Sequence, residues 1–284
     1  MSQNYQLGAV NGHIVGVVAK EMVRRAIVAI RKEQDAFKVS KKAGYTGKMD
    51  DVFTSADRAA QDIYLKLLRE NFPLCGVVAE EDKLRIEPSG ECRAVWTVDP
   101  LDGTKAFIRE QSHGVGTMIS LVQDGEVICA YIGDVNTQEC FGYRPGSSKV
   151  HRITRLDIAK PLRHKPLNEG KLYALLRYPP ASYGPKTRRL LKRCDNHQVD
   201  GGSIGTWIAR LWKREVGAVF LTPGMETPWD AAPILGISLK LGYAFYRPVR
   251  GGWERYTPEI SLHVTKRDHD TVVIHEKDAK ILFN

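Results

Sequence analysis

The chain has 284 residues, room for one large domain or two modest ones with substantial cores. Apolar residues make up 43% and charged residues 26% of it; with no apolar run of about 18 residues and no secretory pattern in Met1–Lys20, a cytoplasmic protein without membrane spans is expected. The 42 Lys+Arg against 33 Asp+Glu leave a net charge of +9, which favours anionic ligands, but the basic residues are scattered and follow no nucleic-acid-binding motif, so neither nucleic acid nor membrane is an expected partner.

Residues 7–32 place Val10, Ile14, Val17, Met22, Ile27 and Ile30 close to a helical period. A polar, glycine-containing stretch runs from Ser40 to Asp51. Thr54-Ser55 then offers hydroxyl caps for a second helix carrying Ala59, Ala60, Ile63, Leu67 and Leu68, closed by Pro73. Strand-like runs follow at Gly76–Ala79, Ala94–Val98, Val115–Val122 and Glu126–Ile132, with Asp124-Gly125 as a hairpin signal between the last two. Pro145–Ser148 reads as a turn that divides the chain into halves, 1–147 and 148–284. Beyond it, Leu172–Leu176 and Ala218–Leu221 read as strands. Gly205–Val216 and Ala231–Leu241 read as helices, the latter ended by Gly242. The mixture predicts layered α and β structure. Five cysteines, an odd number without CxxC spacing, fit reduced thiols better than a disulfide framework or a zinc site.

The strongest local signal is Val98-Asp99-Pro100-Leu101-Asp102-Gly103-Thr104. An apolar strand releases two carboxylates three residues apart. Pro100 fixes the backbone between them, and Gly103 permits a tight turn. A helix starting near Gly103-Thr104 would present free N–H groups to an anion. Carboxylates beside a phosphate repel it unless cations lie between, and that conflict argues for a hard ion such as Mg²⁺. Glu80-Glu81-Asp82 crowd the end of another strand, where a cation would relieve their repulsion. Asp230, in Pro228-Trp229-Asp230-Ala231-Ala232, sits at the entry of an apolar helix. Each acid alone has a plain alternative as turn former, solvated loop or N-cap.

Together these segments resemble the inositol monophosphatase superfamily of metal-dependent, lithium-sensitive phosphatases. The resemblance runs from about Asp51 to Gly242. It rests on Asp51-Val52-Phe53-Thr54-Ser55-Ala56-Asp57, on Ala79-Glu80-Glu81, on Asp99–Thr104 and on Trp229-Asp230-Ala231-Ala232, in the family's order and separations. It implies an α+β fold, a layered αβαβα sandwich of the inositol monophosphatase/fructose bisphosphatase type. The metal motifs fall in the first half; Asp230 and the substrate side fall in the second. It also implies two or three Mg²⁺ ions: one held by Glu80, Asp99 and the Leu101 carbonyl, a second by Asp99, Asp102 and Asp230. Paired ions about 4 Å apart clamp the attacking and leaving oxygens of an in-line displacement. Thr104, with Glu80 and Asp57, would orient the water. Gly103 and Thr104 N–H groups would hold phosphate oxygens. Asp102, Gly205, Thr206 and Asp230 complete the substrate side. The reaction implied is Mg²⁺-dependent hydrolysis of a small phosphorylated metabolite, of inositol-phosphate type, by a homodimeric enzyme.

The substrate side departs from the family. Trp207 follows Gly205-Thr206 where inositol phosphatases have a small residue, as a stacking surface or a core residue. The glutamate that usually precedes the Trp-Asp pair at a fixed spacing is missing, with Glu226 as a substitute only after a local shift. Gln61 stands where the family often has Glu. Asp102–Phe107 looks closer to the nucleotide-bisphosphatase and histidinol-phosphatase branches, and Lys105 would suit a second phosphate. A 3′(2′),5′-bisphosphate nucleotidase and a histidinol-phosphate phosphatase are therefore alternatives. A basic nucleic-acid- or protein-binding module on the same fold is the alternative from another class.

Overall fold

The structure, a computed structural model, describes residues 11–42 and 51–284. Helix Gly12–Glu33 begins where the Asn11 side chain accepts from the N–H groups of His13 and Ile14, satisfying two donors that lack helical partners. Its buried stripe is Val15, Ala19, Met22, Val23, Ala26, Ile27 and Ile30. The sequence periodicity is corrected at two positions: Ile14 and Val17 face solvent, off the side of the helix that joins the core. Val10 and most of Ser40–Asp51 lie outside the described residues. Helix Ser55–Asn71 carries a capping box, with Thr54 and Asp57 exchanging hydrogen bonds. It lies beside the first helix on one face of an eight-stranded sheet.

Third from one edge of that sheet, strand Ala94–Asp102 is buried along all its residues. It pairs antiparallel with Gly116–Gln123, and the register shifts between Asp99 and Asp102. Gly76–Ala79 pairs with it in parallel, Ala79 opposite Val98. Both chains therefore leave the sheet at the same end, releasing Glu80 beside Asp99. The hairpin through Asp124-Gly125 joins Gly116–Gln123 to Glu126–Asp134. The turn at 145–148 lies within this sheet's course, since strands His151–Ile153 and Ala159–Pro161 extend its far edge.

A six-stranded sheet forms the second half. Tyr173–Leu176 and Ala218–Leu221 match the sequence reading. Tyr243–Val249, Gly252–Tyr256 and Thr271–His275 add to it, strands whose pattern is interrupted by Pro248 and the turn at Gly251-Gly252. Helices Ile204–Trp212 and Pro228–Lys240 pack between the two sheets. Helices Pro185–Leu191 and Ala279–Phe283 cover the outer face of the second. The layers are helix, sheet, helix, sheet, helix. No helix among the described residues is long and apolar enough to cross a membrane.

Candidate metal centre and adjoining cavity

Asp99 and Asp102 leave strand Ala94–Asp102 on either side of its register shift. Pro228 occupies the first turn of helix Pro228–Lys240 and Thr227 is its N-cap. Asp230 is thus a first-turn residue rather than the cap, and its Oδ2 accepts from Thr227 Oγ1 at 2.7 Å. One carboxylate oxygen from each of Asp99, Asp102 and Asp230 lies within 4.8 Å of the others. Burial pushes all three carboxyls above the usual carboxylate range, and repulsion from neighbouring acids adds to it at Asp99 and Asp102. Asp99 Oδ1 is buried without a hydrogen-bond partner. An orphaned, desolvated carboxylate oxygen amid converging acids fits a hard divalent cation that takes oxygen ligands. Asp99, Asp102 and Asp230 are the residues that would hold it.

Glu80 stands beside this trio rather than within it. Its N–H donates to Val98 O at 3.1 Å, and its Oε1 accepts from Lys42 Nζ at 2.9 Å. Lys42 also donates to Glu81 Oε1 at 2.5 Å. Burial pushes Glu80 up against the opposing pull of Lys42, and the nearby Asp230 and Glu81 add to the rise. Burial disfavours the Lys42 charge, but Glu80 and Glu81 outweigh it and raise the ammonium. Lys42 escaped the sequence reading because Lys41-Lys42 looks like ordinary basic surface.

Asp102 has a second task. Its Oδ2 accepts from Ser203 Oγ and from Gly205 N at 2.7 Å, and its Oδ1 from Ile204 N at 3.0 Å. It therefore binds the N-terminus of the helix in the layer below, where donors lack helical partners and the dipole favours negative charge. Gly205 is fixed in this role: a Cβ there would lie 2.6 Å from Met118 Sδ. Thr206 N donates to Ser203 Oγ at 3.0 Å. The N–H groups of Gly205 and Thr206 are thus spent on the cap, and the helix turns Ile204 and Ile208 toward the adjoining cavity. Ser203 was missed, although a serine just before an apolar helical run is an N-cap signal.

Thr104 opens the short helix Thr104–Ile108 after Gly103, whose φ is +92°. A Cβ on Gly103 would lie 2.3 Å from Gly114 O. Thr104 Oγ1 lies 3.2 Å from both Asp57 Oδ1 and Leu101 O. Burial, partly offset by Thr54, pushes Asp57 up to about 6. Gln61 is buried and donates to Glu81 O, Lys105 is exposed, and Trp207 belongs to the core between the sheets. A cavity of about 260 Å³ opens beside Asp102 and Asp230, with Arg177 and Glu226 also on its wall.

A family model for the inositol monophosphatase family matches residues 14–278. The Nus factor SuhB of Xylella fastidiosa is 32% identical over 122 residues, 42% of this chain and 42% of that protein. The matched part therefore spans less than half of that relative. The histidinol-phosphatase of Chlorobaculum parvum is 28% identical over 207 residues, covering 69% of this chain and 72% of that one. The extragenic suppressor protein suhB of Bartonella henselae shares the fold, with a TM-score of 0.71 at 18% identity over 94% of this chain and 96% of that one. The layered αβαβα sandwich and a family match from residue 14 to residue 278 place the chain in the inositol monophosphatase family.

Proposed function

We propose that the chain is a Mg²⁺-dependent phosphatase that hydrolyses a small phosphate monoester with water as the nucleophile. The observation that carries this is the orphaned, buried Asp99 Oδ1 between Asp102 and Asp230, with a hydroxyl–carboxylate pair beside it. Mg²⁺ at this centre supplies positive charge to the phosphoryl oxygens and lowers the pKa of the attacking water. The Thr104 hydroxyl has one proton to give, to Asp57 Oδ1 or Leu101 O, so its oxygen is free to accept from a water. Asp57, held near 6, is mostly ionised at neutral pH and takes up the proton passed through Thr104. Lys42 holds Glu80 and Glu81 together beside the three acids. The N–H groups of Gly103 and Thr104 stand where no helical carbonyl precedes them and suit a phosphate oxygen.

Membership of the family and the likeness to a named histidinol-phosphatase support hydrolysis. The likeness to a Nus factor supports a binding role on the same fold, but such a role gives no reason to bring three acids together in one desolvated cluster. Phosphate release is to be measured with Mg²⁺ and with EDTA on inositol-1-phosphate, adenosine 3′,5′-bisphosphate, histidinol phosphate and benzyl phosphate. Metal-dependent release from at least one ester, abolished in Asp99→Asn, is the expected result. Inactivity on all, or full activity of Asp99→Asn, overturns the reading.

A further inference from the structure

We propose that the cavity beside the acids selects phosphate monoesters of small alcohols with a flat, apolar body over those of polyols, and that the fixed positive charge of Arg177 on its wall favours a body that carries a carboxylate. The proposal rests on the phosphatase reading for the chemistry and on the cavity for the choice.

The cavity runs from Asp102 and Asp230 along Ile204, Ile208, Leu221, Ile234, Leu235 and Phe245. At about 260 Å³ it lies just under the usual range for small-molecule pockets, roughly 300–1,000 Å³, so the body it takes is ring-sized. The polar groups at its far end are already tied to one another. Arg267 Nε donates to Glu226 Oε1 at 2.7 Å. Arg267 Nη1 donates to Thr271 Oγ1 at 3.2 Å, and Thr271 Oγ1 lies 2.7 Å from Tyr256 OH. A polyol placed here gives up its water and finds Thr271 bonded to Tyr256 and Arg267 bonded to Glu226. Each hydroxyl left unpaired costs roughly tenfold in affinity. A flat apolar ring pays no such penalty and gains from the aliphatic walls.

Arg177 is the exception among the polar lining. Its Nη2 donates to Gly202 O at 2.5 Å, and its guanidinium lies over the Trp207 indole, 5.9 Å from the ring centroid. The side chain is thereby clamped from two sides. Its Nη1 is sealed from both solvent and cavity and has no acceptor, so what the clamped guanidinium on the cavity wall offers a ligand is positive charge at a fixed place rather than a hydrogen bond from Nη1. A carboxylate on the substrate body is attracted by that fixed charge.

The test compares kcat/KM of the Mg²⁺-loaded protein on benzyl phosphate, 4-carboxybenzyl phosphate and inositol-1-phosphate. Calorimetry adds the affinities of benzylphosphonate and inositol-1-phosphate. Both aromatic esters are expected to exceed inositol-1-phosphate by about tenfold or more, with the carboxylated ester ahead of benzyl phosphate through a lower KM. Arg177→Met is expected to shrink the ratio between the two aromatic esters to near one. The wild-type order decides the matter even where that variant does not fold. Faster turnover of inositol-1-phosphate than of either aromatic ester overturns the cavity assignment and leaves the phosphatase reading intact. No release from any ester, with benzylphosphonate still binding more tightly, supports the cavity assignment and overturns the phosphatase reading. Tighter binding of inositol-1-phosphate overturns the cavity assignment in either case.

Discussion

The Lys42 ammonium sits 2.9 Å from Glu80 Oε1, so an acid that the sequence pattern assigns to a metal faces a cation supplied by the protein itself. The same ammonium holds Glu81 at 2.5 Å, and the Glu81 side chain is only 4% exposed. Removing one partner of so buried a pair leaves an uncompensated charge. Lys42→Met is therefore expected to lower the melting temperature of the metal-free protein by several degrees. It also frees Glu80 to attract a divalent cation. The Mg²⁺ concentration for half-maximal phosphate release is expected to fall about tenfold, a gain of about 1.4 kcal/mol. A Mg²⁺ titration of activity and a melt in EDTA check both; an unchanged Mg²⁺ requirement removes Lys42 from competition with the metal.

Asp99 sets the pH dependence of the metal-free fold. Burial and neighbouring acids raise its pKa, burial alone raises that of Asp230, and burial raises Asp57 to about 6. Groups whose folded pKa lies above the unfolded one bind more protons when folded. Stability therefore falls as pH climbs from about 4 through the raised values and stays low above them. The protein in EDTA is expected to melt higher near pH 5 than near pH 8, with Mg²⁺ removing most of that slope. Asp99→Asn deletes a repelling charge, so it is expected to raise the melting temperature near pH 8 in EDTA while cancelling the stabilisation by Mg²⁺. Scanning calorimetry of both proteins at the two pH values decides it; a lower melting temperature for Asp99→Asn near pH 8 counts against the orphaned-acid description.

Asp102→Asn should move stability the other way. Both Asp102 oxygens accept hydrogen bonds from the Ser203–Gly205 turn. An amide presents an NH₂ group to donors and leaves buried N–H groups unpaired, at about 1–3 kcal/mol each. Asp102→Asn is thus expected to melt several degrees lower than wild type even in EDTA, where metal loss is no explanation. Equal melting temperatures for Asp99→Asn and Asp102→Asn would show that Asp102 does not tie the two layers together.

The layered fold and the three converging acids were legible because each rests on local chemistry. Thr54 and Asp57 form a capping box within four consecutive residues, and Asp99–Thr104 is one strand end. What stayed hidden depends on contacts between distant segments. Lys42 meets Glu80 across 38 residues, and Asp102 meets Ser203 across 101. Arg177 lies in an unremarkable run, and only the fold stacks it on Trp207 and brings it to the cavity. Strands such as Thr271–His275 are buried on both faces and lack the alternation that marks a half-exposed strand.

Thr104 and Asp57 are expected to act as one unit. Thr104→Ala removes the acceptor that positions the water but no contact to the leaving group, so kcat is expected to fall about a hundredfold or more with little change in KM. Thr104→Ser keeps the hydroxyl and should stay within about tenfold of wild type. Asp57→Asn disturbs two things at once, because its Oδ2 accepts from Thr54 N at 2.6 Å and from Thr54 Oγ1 at 2.7 Å. A stability loss of about 1 kcal/mol from the damaged cap should accompany its kinetic loss. The acid limb of kcat/KM in the wild type is expected near pH 6, following Asp57, and should vanish in Asp57→Asn. If the proton passes from water through Thr104 Oγ1 to Asp57 Oδ1, the double variant is scarcely slower than either single one, since each change breaks the same path. Additive losses in the double-mutant cycle would instead separate the two residues, leaving Asp57 as a helix cap and Thr104 to work alone.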